Sequence, residues 1–95
     1  MTDPTILVLS SLTEGPRHGY AIMQDVAAFA GVTLGPGTLY GAITRLEERG
    51  WIHPVGPRTR RQAYAISGSG LLHLRTQLAG IQRIAKVAQA RLRDA

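Results

Sequence analysis

Apolar positions along the chain recur at helical spacing, then at strand spacing, then at helical spacing again, with glycine and proline between the segments. Asp3-Pro4 reads as a helix start, because Asp caps free amides and Pro is tolerated at the first helical position. Ile6, Leu7, Leu9 and Leu12 follow as a short apolar helix, and Gly15-Pro16 stops it. A second helix is predicted from His18 to Ala30, with Ile22, Val26 and Phe29 as one buried stripe and Gly31 as its end. Val32-Thr33-Leu34 reads as a short extended link. The third helix is predicted from Pro36 to Arg49, stopping at Gly50, with Leu39, Ile43 and Leu46 inside. Its other faces carry Thr38, Tyr40, Gly41, Thr44 and Arg45.

Two short extended pieces come next. Trp51-Ile52-His53-Pro54-Val55 is rich in strand formers, and Pro54 demands an edge position. Gln62-Ala63-Tyr64-Ala65-Ile66 alternates, with Tyr64 and Ile66 on one side. Between them, Gly56-Pro57-Arg58-Thr59-Arg60-Arg61 makes a turn with a basic tip, so the pair reads as a β-hairpin. Ser67 is placed to cap a last helix over 68–93. There Leu71, Leu74, Leu78, Ile81, Ala85, Ala88 and Leu92 recur at alternating steps of three and four, a heptad stripe that Ile84 and Val87 widen. The predicted class is mainly α with a small β-hairpin. The organisation is a winged helix-turn-helix over 1–67 and a long C-terminal helix over 68–95.

Length and charge narrow the partners. A chain of 95 residues holds one modest core, so part of its apolar surface is expected to be buried against a second copy. The net charge of +5, carried by arginine except at Lys86, suits a polyanion. There is no cysteine, which excludes disulfides and thiolate metal sites. The start Met1-Thr2-Asp3-Pro4 lacks the charge of a signal peptide, and no apolar run approaches the ~20 residues of a membrane span. The expectation is a cytoplasmic protein without membrane contact.

The order helix, helix, helix, hairpin, helix carries the chemistry. In a winged helix-turn-helix the second helix of the pair enters the major groove of double-stranded DNA. Here its start aims free amides at phosphate, with the hydroxyls of Thr38 and Tyr40 beside them. Gly41 permits close approach, and Thr44 and Arg45 lie one turn further, within reach of base edges. Arg45 suits guanine, whose O6 and N7 match its two-pronged donor. The bland alternatives are a Tyr40 packed on the domain surface, and an Arg45 or Arg49 paired with a glutamate such as Glu48. Glu47 and Glu48 repel phosphate, which points the C-terminal half of the helix away from DNA. Arg58, Arg60 and Arg61 form the second contact, a wing against the backbone; the alternative is a solvated basic loop. His18, Gly19 and Tyr20 open the second helix, where backbone contact with phosphate is expected. His18, His53 and His73 offer no metal-ligand spacing.

The heptad stripe of the last helix needs a partner surface, and self-association supplies one. A dimer would carry two reading helices to a two-fold symmetric site. The acidic residues Asp3, Glu14, Asp25, Glu47, Glu48 and Asp94 are scattered, and no catalytic set or cofactor motif appears, so the chain does not read as an enzyme. A ligand sensor with secondary DNA binding and a winged helix used only for protein contacts are the other two readings.

His18-Gly19-Tyr20-Ala21-Ile22, Gly37-Thr38-Leu39-Tyr40 and Leu46-Glu47-Glu48-Arg49-Gly50-Trp51-Ile52 resemble the PadR family of bacterial transcriptional regulators. Arg60-Arg61-Gln62-Ala63-Tyr64 and Ser67-Gly68-Ser69-Gly70 resemble that family's wing and the approach to its last helix. The resemblance implies a repressor dimerised through its last helix, often released from DNA by a small-molecule effector or stress signal. It places Thr38 and Tyr40 at DNA and Tyr64 on the wing strand. Gly35 stands where the family usually has a capping Ser or Asn. Some short members hold flat drugs between aromatics at the dimer interface. This last helix has no aromatic, and Trp51 and Phe29, the nearest, read as core.

Overall fold

The structure, a computed structural model, describes residues 3–95. Helix α1 (Pro4–Leu12) starts as the Asp3-Pro4 pair predicts: the Asp3 carboxylate accepts from the Thr5 amide at 2.9 Å. A two-residue strand β1 (Arg17–His18) follows, then helix α2 (Gly19–Ala30), which ends at Gly31 in the left-handed region at φ 66°. Helix α3 (Pro36–Glu48) begins at Gly35, which provides no side-chain cap. Strands β2 (Ile52–Val55) and β3 (Ala63–Ile66) form the wing, and helix α4 (Gly68–Arg93) closes the chain. Every element boundary falls within a residue or two of its predicted position except β1, which the sequence pattern did not suggest.

The sheet has the order β1-β3-β2 and is antiparallel throughout. Pro54 sits on the outer strand β2 opposite Tyr64, so its missing N–H breaks no central ladder. β1 seals the other side of β3 by pairing Arg17 with Tyr64 and His18 with Ala63. Arg17 is held there by ion pairs to Glu14 at 2.8 Å and Asp25 at 3.4 Å. The wing is therefore a three-stranded sheet rooted beside the start of α2.

One core joins these layers. Leu7, Val8, Leu9 and Leu12 of α1 meet Ile22 and Val26 of α2, Leu39, Ala42, Ile43 and Leu46 of α3, Ile52 of β2 and Leu34 of the link. Two predicted positions differ. Phe29 is 51% exposed, because the last turn of α2 projects beyond the core. Leu74, expected in the intermolecular stripe, is only 4% exposed and belongs to this core. The first two turns of α4 pack on α1, on Trp51 just before β2 and on Ile66 at the end of β3. Beyond Leu74 the helix leaves the body. All its residues from Arg75 to Gln89 are exposed, and the molecule is 55 Å long but only 26 Å and 20 Å across. No helix among the described residues is long and apolar enough to cross a membrane.

Candidate nucleic-acid interface

Helix α3 turns its apolar side, Leu39, Ala42, Ile43 and Leu46, into the core. The opposite side, with Gly37, Thr38, Gly41, Thr44 and Glu48, is left to solvent apart from a half-buried Gly41. Its first turn has no side-chain cap, so amides there stay free to meet an anion. Thr44 donates its hydroxyl to the Tyr40 carbonyl at 2.9 Å, so towards a ligand it acts as an acceptor. Arg45 occupies the flank away from the wing. Its guanidinium lies beside Gly41, 3.5 Å from where a Cβ would stand. It borders a cleft of about 340 Å³ with Asp3, Arg49, Trp51 and His73. Both ion pairs among the described residues belong to Arg17, so the alternative of an Arg45–Glu48 pair is not realised.

The wing flank gathers several expected residues. A groove of about 280 Å³ is lined by His18, Gly19, Tyr20, Tyr40, Arg60, Arg61 and Tyr64, among others. The start of α2, the second residue row of α3 and the arginine loop thus share one concave surface. Tyr20 and Tyr40 are about half exposed in it. His18 caps α2 with Nδ1 accepting from the Ala21 amide at 3.4 Å. Tyr40 rests on Gly19, where the absence of a side chain leaves room for the phenol. Gln62 braces the loop from below, donating to the carbonyls of Val55 at 2.9 Å and Ala63 at 3.2 Å.

Arg58 is separated from the other two wing arginines. It faces a neighbouring groove of about 290 Å³ with Glu47, Pro54 and Tyr64. Glu47 therefore points towards the wing. Tyr64 lies between the two grooves, and its phenol pKa is raised by burial, then by Glu47 and Tyr40, with Arg58 opposing. Gln62 and Glu47 were absent from the predicted site. Their roles depend on β1 and the hairpin register, which bring distant segments together.

A family model described as the transcriptional regulator PadR-like family matches residues 8–76. The chain belongs to the PadR-like family of transcriptional regulators. Its fold agrees. A PadR family transcription regulator from Clostridium difficile superposes with a TM-score of 0.84 at 25% identity, over 96% of this chain and 99% of that one. A PadR family regulator from Eggerthella lenta gives 0.79 at 30% identity, over 93% and 80% of the two chains. A transcriptional regulator from Clostridium thermocellum gives 0.81 at 29% identity, over 90% and 86%. In sequence, 68 residues are 40% identical to an uncharacterized 37.1 kDa protein in transposon Tn4556 of Streptomyces fradiae. That match covers 72% of this chain, which spans 20% of the transposon protein. The fold is thus the winged helix of the PadR-like transcriptional regulators.

Proposed function

We propose that this PadR-like regulator is a homodimeric repressor that reads a two-fold symmetric operator in the cytoplasm. The observation that carries the reading is the convergence of α3, the start of α2 and the arginine loop on one exposed surface. In this reading α3 lies in the major groove, with Thr38, Gly41 and Thr44 nearest the bases and Arg45 reaching from the flank. His18, Tyr20, Tyr40, Arg60 and Arg61 take phosphates beside it, and Arg58 follows the backbone on the far side of the wing. Glu47 and Glu48 keep the C-terminal end of α3 away from the duplex.

The dimer is proposed to form through α4 beyond Leu74. Leu78, Ile81, Ala85, Ala88 and Leu92 keep their heptad spacing there and are exposed, with Leu92 at 73%. Ile84 and Val87 extend this face across a groove of about 640 Å³. An apolar helix face of this length is unusual on a free monomer and fits a second copy of itself. The working division is then a DNA-reading unit that includes the first turns of α4, and a dimerisation arm after Leu74.

Fluorescence anisotropy tests the reading, using DNA from upstream of the chain's own gene against scrambled DNA over a salt series. The expected result is tighter binding to the upstream DNA and affinity that falls steeply with salt. Absence of binding to either DNA at low salt would leave a protein-contact module as the better account.

A further inference from the structure

The end of the reading helix is fastened to the root of α4 by hydrogen bonds and a ring stack. The Trp51 amide continues α3, donating to the Leu46 carbonyl at 3.0 Å. The Trp51 carbonyl accepts from the Ser67 amide at 2.9 Å. The Gly50 carbonyl accepts from the hydroxyls of Ser67 at 2.7 Å and Ser69 at 3.1 Å. Gly70 has no room for a Cβ, because the Trp51 carbonyl and the Ile66 side chain occupy that space. One turn on, the His73 imidazole stacks on the Trp51 indole with centroids 3.6 Å apart and planes 13° from parallel. The Arg49 guanidinium sits 5.2 Å from the same indole centroid.

We propose that His73 and Trp51 are positioning residues that set the separation of the two reading helices without touching DNA. The inference rests on the homodimer reading above. The backbone contacts pin α4 at Ser67–Gly70, while the stack resists swinging of the helix about that point. After Leu74 no described residue of the helix belongs to the core, and every one from Arg75 to Gln89 is exposed. The distance from His73 to Ala85 in the apolar face is about 18 Å along the helix axis. A swing of roughly 10° over that arm displaces its end by ~3 Å, close to the ~3.4 Å rise of one base pair. A loosened joint therefore costs the dimer its register on a two-fold site, while each half keeps its own contacts.

The stack also bears on where a flat ligand could go. Trp51, the nearest aromatic to α4, presents its ring to His73 and Arg49 within the chain. Its indole serves the joint.

The experiment is a distance measurement between recognition helices. Because the chain has no cysteine, Thr44→Cys gives one spin-label site per copy on the exposed side of α3. Double electron–electron resonance on the full chain, without DNA, then reads the separation across the dimer. The expected result is a narrow distribution for the otherwise unchanged chain, and a shift or broadening of about 3 Å or more when His73→Leu is added. His73→Leu fills the space without stacking, so it serves where His73→Ala fails to fold. His73→Phe, which restores a flat ring, should return the narrow distribution. An unchanged distribution in His73→Leu would overturn the positioning role and leave the dimer standing. No dipolar coupling in the parent would overturn the dimer itself, and the inference with it.

Discussion

The phenol of Tyr40 lies across the first turn of α2 at Gly19, so near that a methyl group there would stand 2.6 Å from its hydroxyl oxygen. Gly19 has no positive φ, so alanine fits its backbone, and only the tyrosine must move. Gly19→Ala is expected to keep the melting temperature and to weaken DNA binding about tenfold, roughly the worth of one charge-assisted hydrogen bond. Circular dichroism melts beside anisotropy titrations check this. Equal affinity at equal stability would remove Tyr40 from the interface.

The wing arginines make no ion pair among the described residues. Their replacement therefore tests electrostatics with little effect on folding. Changing Arg58, Arg60 and Arg61 to Ala should weaken specific and random DNA alike. It should also flatten the log–log salt slope by up to ~2.7, since each lost phosphate contact contributes about 0.9. A steep slope retained by the triple variant would show a solvated loop.

Arg45 occupies the opposite flank of α3, away from the wing and beside Gly41. Arg45→Ala is expected to narrow the gap between operator and random DNA by about 1–3 kcal/mol. Its affinity for random DNA should change far less. A uniform loss on all sequences would make Arg45 a phosphate contact like those of the wing.

How much of this could be read from the residues varies with the range of the interaction. The caps at Asp3 and Ser67, the stop at Gly31 and the edge position of Pro54 are local rules, and each is found in place. β1 carries no such signal, because two residues between Pro16 and Gly19 show no alternation; only pairing with β3 makes them a strand. The heptad stripe was legible as an apolar face, but periodicity does not say what covers it. Leu74 and Leu78 look equivalent in the pattern, yet one is in the core and the other in solvent. Phe29 continues the stripe of Ile22 and Val26, but at the end of α2 it lies beyond the core and is left half exposed. The Trp51–His73 stack joins residues far apart in sequence, with no spacing rule to announce it.

Gly70 is a packing position, in contrast to Gly19. A Cβ there would strike the Trp51 carbonyl and the Ile66 side chain, and a backbone oxygen cannot rotate aside. Gly70→Ala should therefore destabilise the fold by about 1–3 kcal/mol, the usual range for overpacking, or by more if the cap bonds from Ser67 and Ser69 also break. Urea denaturation measures it. A loss below about 0.5 kcal/mol would show that α4 can shift outward freely at its root.

Tyr64 links stability to alkaline pH. Its phenol is held above the ordinary tyrosine range by burial first, then by Glu47 and Tyr40, against a smaller opposing effect of Arg58. Above about pH 10 the unfolded chain releases this proton while the folded chain keeps it. The folded state then binds more protons than the unfolded state, so stability falls as pH rises from that point through the folded pKa. Below about pH 9 both states are protonated and the group adds no pH dependence. The phenol hydroxyl makes no hydrogen bond among the described residues, so Tyr64→Phe removes the titration without leaving a broken partner. The variant should match the parent near neutrality and lose stability less steeply above pH 10. Urea melts of both proteins from pH 8 to about pH 11 give the comparison. Parallel declines would mean that the Tyr64 phenol ionises as readily in the folded chain as in the unfolded one.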